Sequence, residues 1–352
     1  MAICSPLARR LRRPLPPTPP PFPTARCCCP ATARRVWRGS ATAAAAGSAS
    51  LAVVPQGTLT VRAAGVDLAI ATETEKCDAI RFDAEGSLDP EGLRLDARGE
   101  LAAELQAAAE PGATERPRLR GLIPAKYNVD VESRGGDVQM GFLEGAAAID
   151  SGGGDIALDK VTSLEILLTS GGGDIAARVL QGIVQIDAAS PAPDAPTAAH
   201  GAVTVQRLVS PTVGISAGEV DCAALYADSY AIRTHGADVR LGSSHGREPS
   251  TIDSAGGDVT IGSLEGEGPL RVETGGGSAV IKLSRQTADV AVLSSGGDVT
   301  VKASTDLCLR LELEGAGGVH IDAAHRFTPV RTQRRSFASC ASRKPQAATR
   351  RD

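Results

Sequence analysis

The stretch Ser151-Gly-Gly-Gly-Asp-Ile156 reads SGGGDI, and the same six letters return as Ser170 to Ile175. A glycine run ahead of an acid can cradle a phosphate, hold calcium or turn a tight corner. The Walker pattern needs G-x-x-x-x-G-K-[ST] at the start of a helix. No Lys-Ser/Thr follows any glycine cluster here, and a strand-like alternation follows instead. A dinucleotide fingerprint fails for the same reason. Calcium-binding β-rolls need consecutive nine-residue repeats whose adjacent turns share an ion. Spacing therefore decides the reading, and it favours the corner.

Taking the residue after the glycine pair as a slot, the slots are Asp137, Asp155, Asp174, Ala202, Glu219, Asp238, Asp258, Ser278, Asp298 and Gly318. Their spacings are 18, 19, 28, 17, 19 and then four of 20. The one long spacing holds a Pro/Ala segment, residues 188–199, which reads as a loop bulging from one repeat. Positions +1 and +3 after each slot are apolar and often β-branched, from Val138/Met140 through Val259/Ile261 to Val319/Ile321. That alternation is a strand with one buried face. A second alternating strand precedes the glycines, as in Ile166/Leu168, Leu270/Val272 and Val290/Val292.

A period near twenty over ten copies is the signature of a solenoid. The expected fold is all-β: a right-handed parallel β-solenoid of about ten coils, with irregular N-terminal capping strands. At an inter-strand spacing of about 4.8 Å, ten coils make a rod of about 48 Å. The narrow core takes small aliphatics, which accounts for an aromatic content of only 3%. At the corners marked by Gly136, Gly154, Gly173, Gly257, Gly277 and Gly297, one or more residues are expected to need positive φ, which glycine adopts cheaply, and stacking is expected to leave little room for Cβ atoms. The Asp in each slot is expected to accept turn N–H groups as in an Asx-turn.

Four segments follow from this reading. Residues 1–50 form a leader, 51–122 irregular strands and a loop, 123–325 the repeat domain, and 326–352 a basic tail. Charge is distributed unevenly among them. Residues 1–66 carry nine Arg and no acid, and 326–352 carry eight basic residues and one acid. The intervening residues hold 20 basic and 40 acidic side chains. An acidic body opposes nucleic-acid binding, which rests on phosphate neutralisation. The leader is rich in Arg, Ala, Ser and Pro and lacks acids, which fits a mitochondrial transit peptide cleaved near residues 38–50; a cytoplasmic location is the alternative. No run of eighteen apolar residues offers a membrane span. The eight cysteines include no CxxC pair, so neither zinc nor a disulfide framework is expected.

The run IPAKYNVDVESRGGDV (123–138) and the recurrent S-G-G-G-D-[IV] resemble the "putative adhesin" domain family, a glycine-rich β-solenoid domain common in bacteria. The resemblance covers roughly 123–322 and extends to a vertebrate member with an organelle-type leader. It implies the solenoid fold and carries over no catalytic residues. The slots at Ala202, Ser278 and Gly318 depart from its Asp.

The expected function is a non-enzymatic binding or scaffold module with a protein partner, no cofactor and possible self-association end to end. Two alternatives rest on named residues. Stacked Asp137, Asp155 and Asp174 could hold a calcium ion through carboxylate oxygens. A carbohydrate-active β-helix would need paired acids such as Asp221 with Asp228 or Asp253 with Asp258, in a groove with aromatic platforms. Between 123 and 322 the aromatics are only Tyr127, Phe142, Tyr226 and Tyr230. His235 and His245 flank one coil and could approach each other across a turn, but ten residues apart is not a metal-ligand spacing and they read as a solvated loop pair; His200, His320 and His325 are scattered. The alternation leaves no obvious exposed apolar stripe for a lipid or polymer.

Overall fold

The computed structural model describes residues 48–323 except 55, 74–78, 89–92, 99–100, 111, 113–114, 190–199 and 304–309, together with 332–333 and 335–336. The leader before 48, most of the insertion and nearly all of the basic tail lie outside these residues, as do His325 and Cys77, Cys308 and Cys340.

The N-terminal strands are β1 (Ser48–Ala52), β2 (Thr58–Ala64), β3 (Asp67–Glu73), β4 (Ala79–Glu85), β5 (Arg94–Ala97), β6 (Ala102–Ala108) and β7 (Arg118–Pro124). The repeats begin with β8 (Asn128–Glu132), β9 (Val138–Glu144) and β10 (Ala147–Asp150). Four long strands follow: β11 (Ile156–Thr169), β12 (Ile175–Asp187), β13 (Val203–Ala217) and β14 (Val220–Thr234). The remaining coils alternate β15 (Val239–Gly246), β16 (Ser250–Asp253), β17 (Val259–Gly266), β18 (Leu270–Gly275), β19 (Ala279–Gln286), β20 (Val290–Ser294), β21 (Asp298–Ala303), β22 (Leu311–Gly315) and β23 (Gly318–Ala323). These strands belong to a single 23-stranded sheet that winds as a parallel β-solenoid. Ten strands open just after a slot, so about nine full windings separate β9 from β23.

Register follows the repeat. Ile156 pairs with Val138 on one side and Ile175 on the other, and the column continues through Val203, Val220, Val239, Val259, Ala279, Val299 and Val319. From Val138 to Val301 the +1 and +3 side chains are buried. Each such Val, Leu or Ile contributes about 1.5–3 kcal/mol by leaving water, which sets the inward phase of every coil. In β11 that phase is broken twice: Ile156 and Leu158 point in, then Val161, then Ile166 and Leu168. Each long coil therefore has three sides, two flat ones meeting at the glycine corner and a short third side opposite it.

The N-terminal strands join the stack out of sequence order. β2 and β3 form a coil lying parallel against β8 and β9. β6 and β7 form a further coil on the other side of β2 and β3. The chain then crosses back at Ala125: its N–H donates to Glu73 O at 3.1 Å, and its carbonyl accepts from Glu144 N–H at 2.7 Å. The outer edge is closed by antiparallel strands, β5 on β6, β4 on β7 and β1 on β4. This covers the unpaired backbone groups that an open parallel edge would present.

Candidate binding surface

At the glycine corner, two demands fall on different residues. Gly152 and Gly153 have φ of 60° and 113°, the left-handed region that glycine adopts without strain. The next residue, Gly154, has no positive φ, but a Cβ there would lie 2.3 Å from Gly136 O. The same clash, at 2.1–2.2 Å from the preceding coil's carbonyl, would arise at Gly136, Gly173, Gly257 and Gly277, and Gly297 would meet Gly277 O at 2.4 Å. The six corner glycines thus serve close stacking, and at five of the six corners the positive φ falls on a residue before them.

The slot carboxylates run up the stack. Asp137 Oδ1 accepts the N–H of Asp155 at 3.0 Å, Asp155 that of Asp174 at 2.9 Å, and Asp174 that of Ala202 at 2.8 Å. Asp238 and Asp258 do the same for Asp258 and Ser278. Each supplies an acceptor for a backbone donor that has left the ladder at the corner. The Asx-turn expected of them is made instead by Asp150, Asp187 and Asp253, which accept the N–H two residues on at 3.0, 3.0 and 3.1 Å. One oxygen of each member of the proposed calcium triad is therefore already engaged. Among the described residues, no group of three or more His, Cys, Asp or Glu is arranged to hold a metal ion.

Beneath the carboxylates lies a buried hydroxyl ladder that the sequence reading overlooked. Thr234 donates to Ala237 O at 2.7 Å, Thr274 to Gly277 O at 2.6 Å and Ser294 to Gly297 O at 3.0 Å. Ser151, Ser170 and Ser254 repeat the bond at their own corners. The signal was present in the Ser or Thr four residues ahead of the Asp, which reads as a turn residue unless its burial is known.

The other nominated residues do not converge. Asp221 is exposed on the first flat side, while Asp228 sits on the third side with Arg247 at 3.5 Å. Asp253 and Asp258 flank one corner, each accepting a backbone N–H. His235 does not meet His245. It stacks on His200, ring centroids 4.3 Å apart and planes at 17°. Between them the corner Ala217-Gly218-Glu219 belongs to the shortest coil, so imidazoles two coils apart can touch. Burial, and then the neighbouring His200, hold the His235 pKa below its ordinary value. The thiol of Cys222 is buried and pushed up to about 12 by desolvation, which keeps it an inert core group.

A groove of about 680 Å³ lies on the first flat side of the early coils. Its floor is small: Ala69, Ala71, Gly141, Ala157 and Ala176. Arg120, Gln139, Gln206 and the Asp159–Arg178 pair form its polar margin. Arg178 Nη2 lies 3.2 Å from Asp159 Oδ2, and its hydrogen bond lowers the Asp159 pKa. The groove is long, shallow and exposed, the shape of a seat for an extended chain.

Fold and surface together define a parallel β-solenoid whose chemistry-bearing side chains mostly serve the stack. The chain belongs to the Toastrack DUF4097 family, whose model matches residues 122–343. Among solved structures it is similar to a putative adhesin of Bacteroides fragilis, with 11% identity over 79% of this chain and 97% of that one, at a TM-score of 0.24. A putative adhesin of Parabacteroides merdae shares 10% identity over 78% and 95%, at 0.31. A putative lipid binding protein of Parabacteroides distasonis shares 9% over 78% and 96%, at 0.33. No curated protein matches the chain.

Proposed function

We propose that this chain is a non-enzymatic binding or scaffold protein that seats an extended segment of a protein partner on its first flat side. The observation that supports it most is the groove floor. Ala157 and Ala176 stand in register on adjacent strands and leave a strip where another backbone can approach closely. The Asp159–Arg178 pair and the glutamines offer hydrogen bonds along its margin. The acidic body between basic ends favours a basic partner. The leader supports a mitochondrial location.

Proximity labelling with the N-terminus intact tests location and neighbours together. Mitochondrial matrix proteins should be labelled, and removal of residues 1–50 should abolish that pattern. An Ala157→Glu/Ala176→Glu variant places two charges on the exposed groove floor and should lose the principal labelled partner while keeping its melting temperature. Unchanged labelling by this variant would reject the groove as the seat.

A further inference from the structure

The third side of the long coils, opposite the glycine corner, differs from the rest of the surface. Leu164 at its outer corner is 90% exposed, and Ile183 in the next coil is 49% exposed. Tyr226, two coils further on, is 44% exposed. Two cations share this side. Lys160 Nζ lies 5.2 Å from the centre of the Phe142 ring, and Arg207 Cζ lies 5.8 Å from that of Tyr226. Among the described residues neither is at ion-pair distance from a carboxylate, although Lys160 helps to stabilise the charge of Asp159. The acids at the ends of this side, Glu144 and Asp228, are taken by Lys126 at 3.9 Å and Arg247 at 3.5 Å. Glu165 shares this side, in register with Ile183, and offsets one of the two cations. An apolar, locally cationic strip thus stands on an acidic body, where simple strand alternation had promised no apolar stripe. The stripe exists because the inward phase breaks at the corners and turns extra side chains outward.

We propose that this third side docks on a lipid surface carrying anionic headgroups. Size and shape favour a bilayer over a protein. Four residues along the strand and four coils across give a patch of roughly 250 Å². A stable protein interface needs about 800 Å² from each partner. The strip is also a projecting side between two corners, with no groove to receive a helix. Exposed Leu and Ile at such a projection can enter the acyl boundary, and Tyr suits the wet interface beside it. Lys160 and Arg207 then face the headgroups. The acidic glycine corners lie on the opposite edge, so docking this way keeps most of the negative charge away from the membrane.

Full-length protein carrying Trp37→Phe and Leu164→Trp reports on this corner alone, which separates it from any binding by the basic tails. Its emission should shift to the blue with phosphatidylcholine vesicles containing phosphatidylglycerol, and brominated acyl chains should quench it. Pure phosphatidylcholine should have little effect. Adding Lys160→Ala/Arg207→Ala should weaken the response roughly 30-fold, at about fivefold per basic residue near a charged surface. Glu165→Gln should strengthen it. If the vesicles bind while the indole stays solvated, the tails carry the binding and the proposal falls. A blue shift with an acidic amphipathic peptide but not with vesicles would overturn the lipid in favour of a protein.

Discussion

A single corner shows how finely the sequence assigns its glycines. In the stretch Thr274-Gly-Gly-Gly277, Gly275 has a φ of 62°, which suits a residue without Cβ. A Cβ on Gly276 would meet nothing within 4 Å, and its φ lies outside the left-handed region. A Cβ on Gly277 would lie 2.2 Å from Gly257 O, and that atom is backbone fixed by the coil below. Three neighbouring glycines therefore predict three different outcomes. Gly276→Ala should leave the melting temperature nearly unchanged. Gly275→Ala should cost about 1–2 kcal/mol, the usual penalty for a left-handed non-glycine residue. Gly277→Ala should cost about 3 kcal/mol or more, because two coils must part. Equal losses in denaturant titrations of Gly276→Ala and Gly277→Ala would show that conformation, not stacking, governs the corner. The same logic explains why Asp can yield to Ser at slot 278: Ser278 Oγ lies 3.4 Å from Asp298 N–H, so the acceptor survives the change.

At the scale of one coil, period and inward phase were legible in the sequence because most inward positions repeat, as in the column from Val138 to Val319. The third side was not, since two outward residues in succession look like noise in a twofold alternation. The hydroxyl ladder and the direction of the slot carboxylates were also hidden, because both depend on which coil lies above. Irregular coils were the least legible. Tyr230 occupies the column of Val213 and is accommodated where Ser244 replaces the leucines of its own column; Ser244 donates to its hydroxyl at 2.9 Å. The shortest coil brings His200 and His235 together over a length that no local motif records. Their contact predicts a pH dependence. His235 is surrounded by His200, Asp187, Arg233 and Ser216, whose Oγ lies 3.4 Å from Nε2. Its folded-state pKa is lowered chiefly by burial, while Asp187 opposes the shift. A depressed imidazole pKa means that the unfolded chain binds the proton more readily. The contribution is therefore complete above the ordinary value of about 6.5 and is lost as pH falls through the folded value. Melting curves from pH 8 to pH 5 should fall less steeply for His235→Gln than for the parent; parallel curves would dismiss the stacked pair as a titrating element.

Over the whole stack, backbone pairing joins each coil only to its neighbours, so the two ends decide how the molecule opens and what it joins. The N-terminal end is finished by strands that run against the parallel grain. This bears on the end-to-end association suggested by the repeat, because a parallel edge can grow by adding another coil whereas an antiparallel cap denies it the matching register. Capping strands were expected from the sequence, but their order was illegible for a topological reason: β6 and β7 stack outside β2 and β3, and the chain returns only at Ala125. Its keystone is Phe82 on β4, fully buried against β7, where a Cβ on Gly121 would come within 2.4 Å of the ring. Phe82→Ala should cost about 3–5 kcal/mol locally and loosen β4 from β7. Amide exchange should then quicken in β4, β7 and β3, while β17 to β21 keep their protection, since intervening coils insulate them. The edge of β7 so exposed should pair with a second molecule, giving a concentration-dependent heavier species in sedimentation velocity that the parent lacks. Loss of protection as far as β21 would mean that the stack melts as one unit. Local fraying without a heavier species would mean that the cap stabilises the end without guarding it against association.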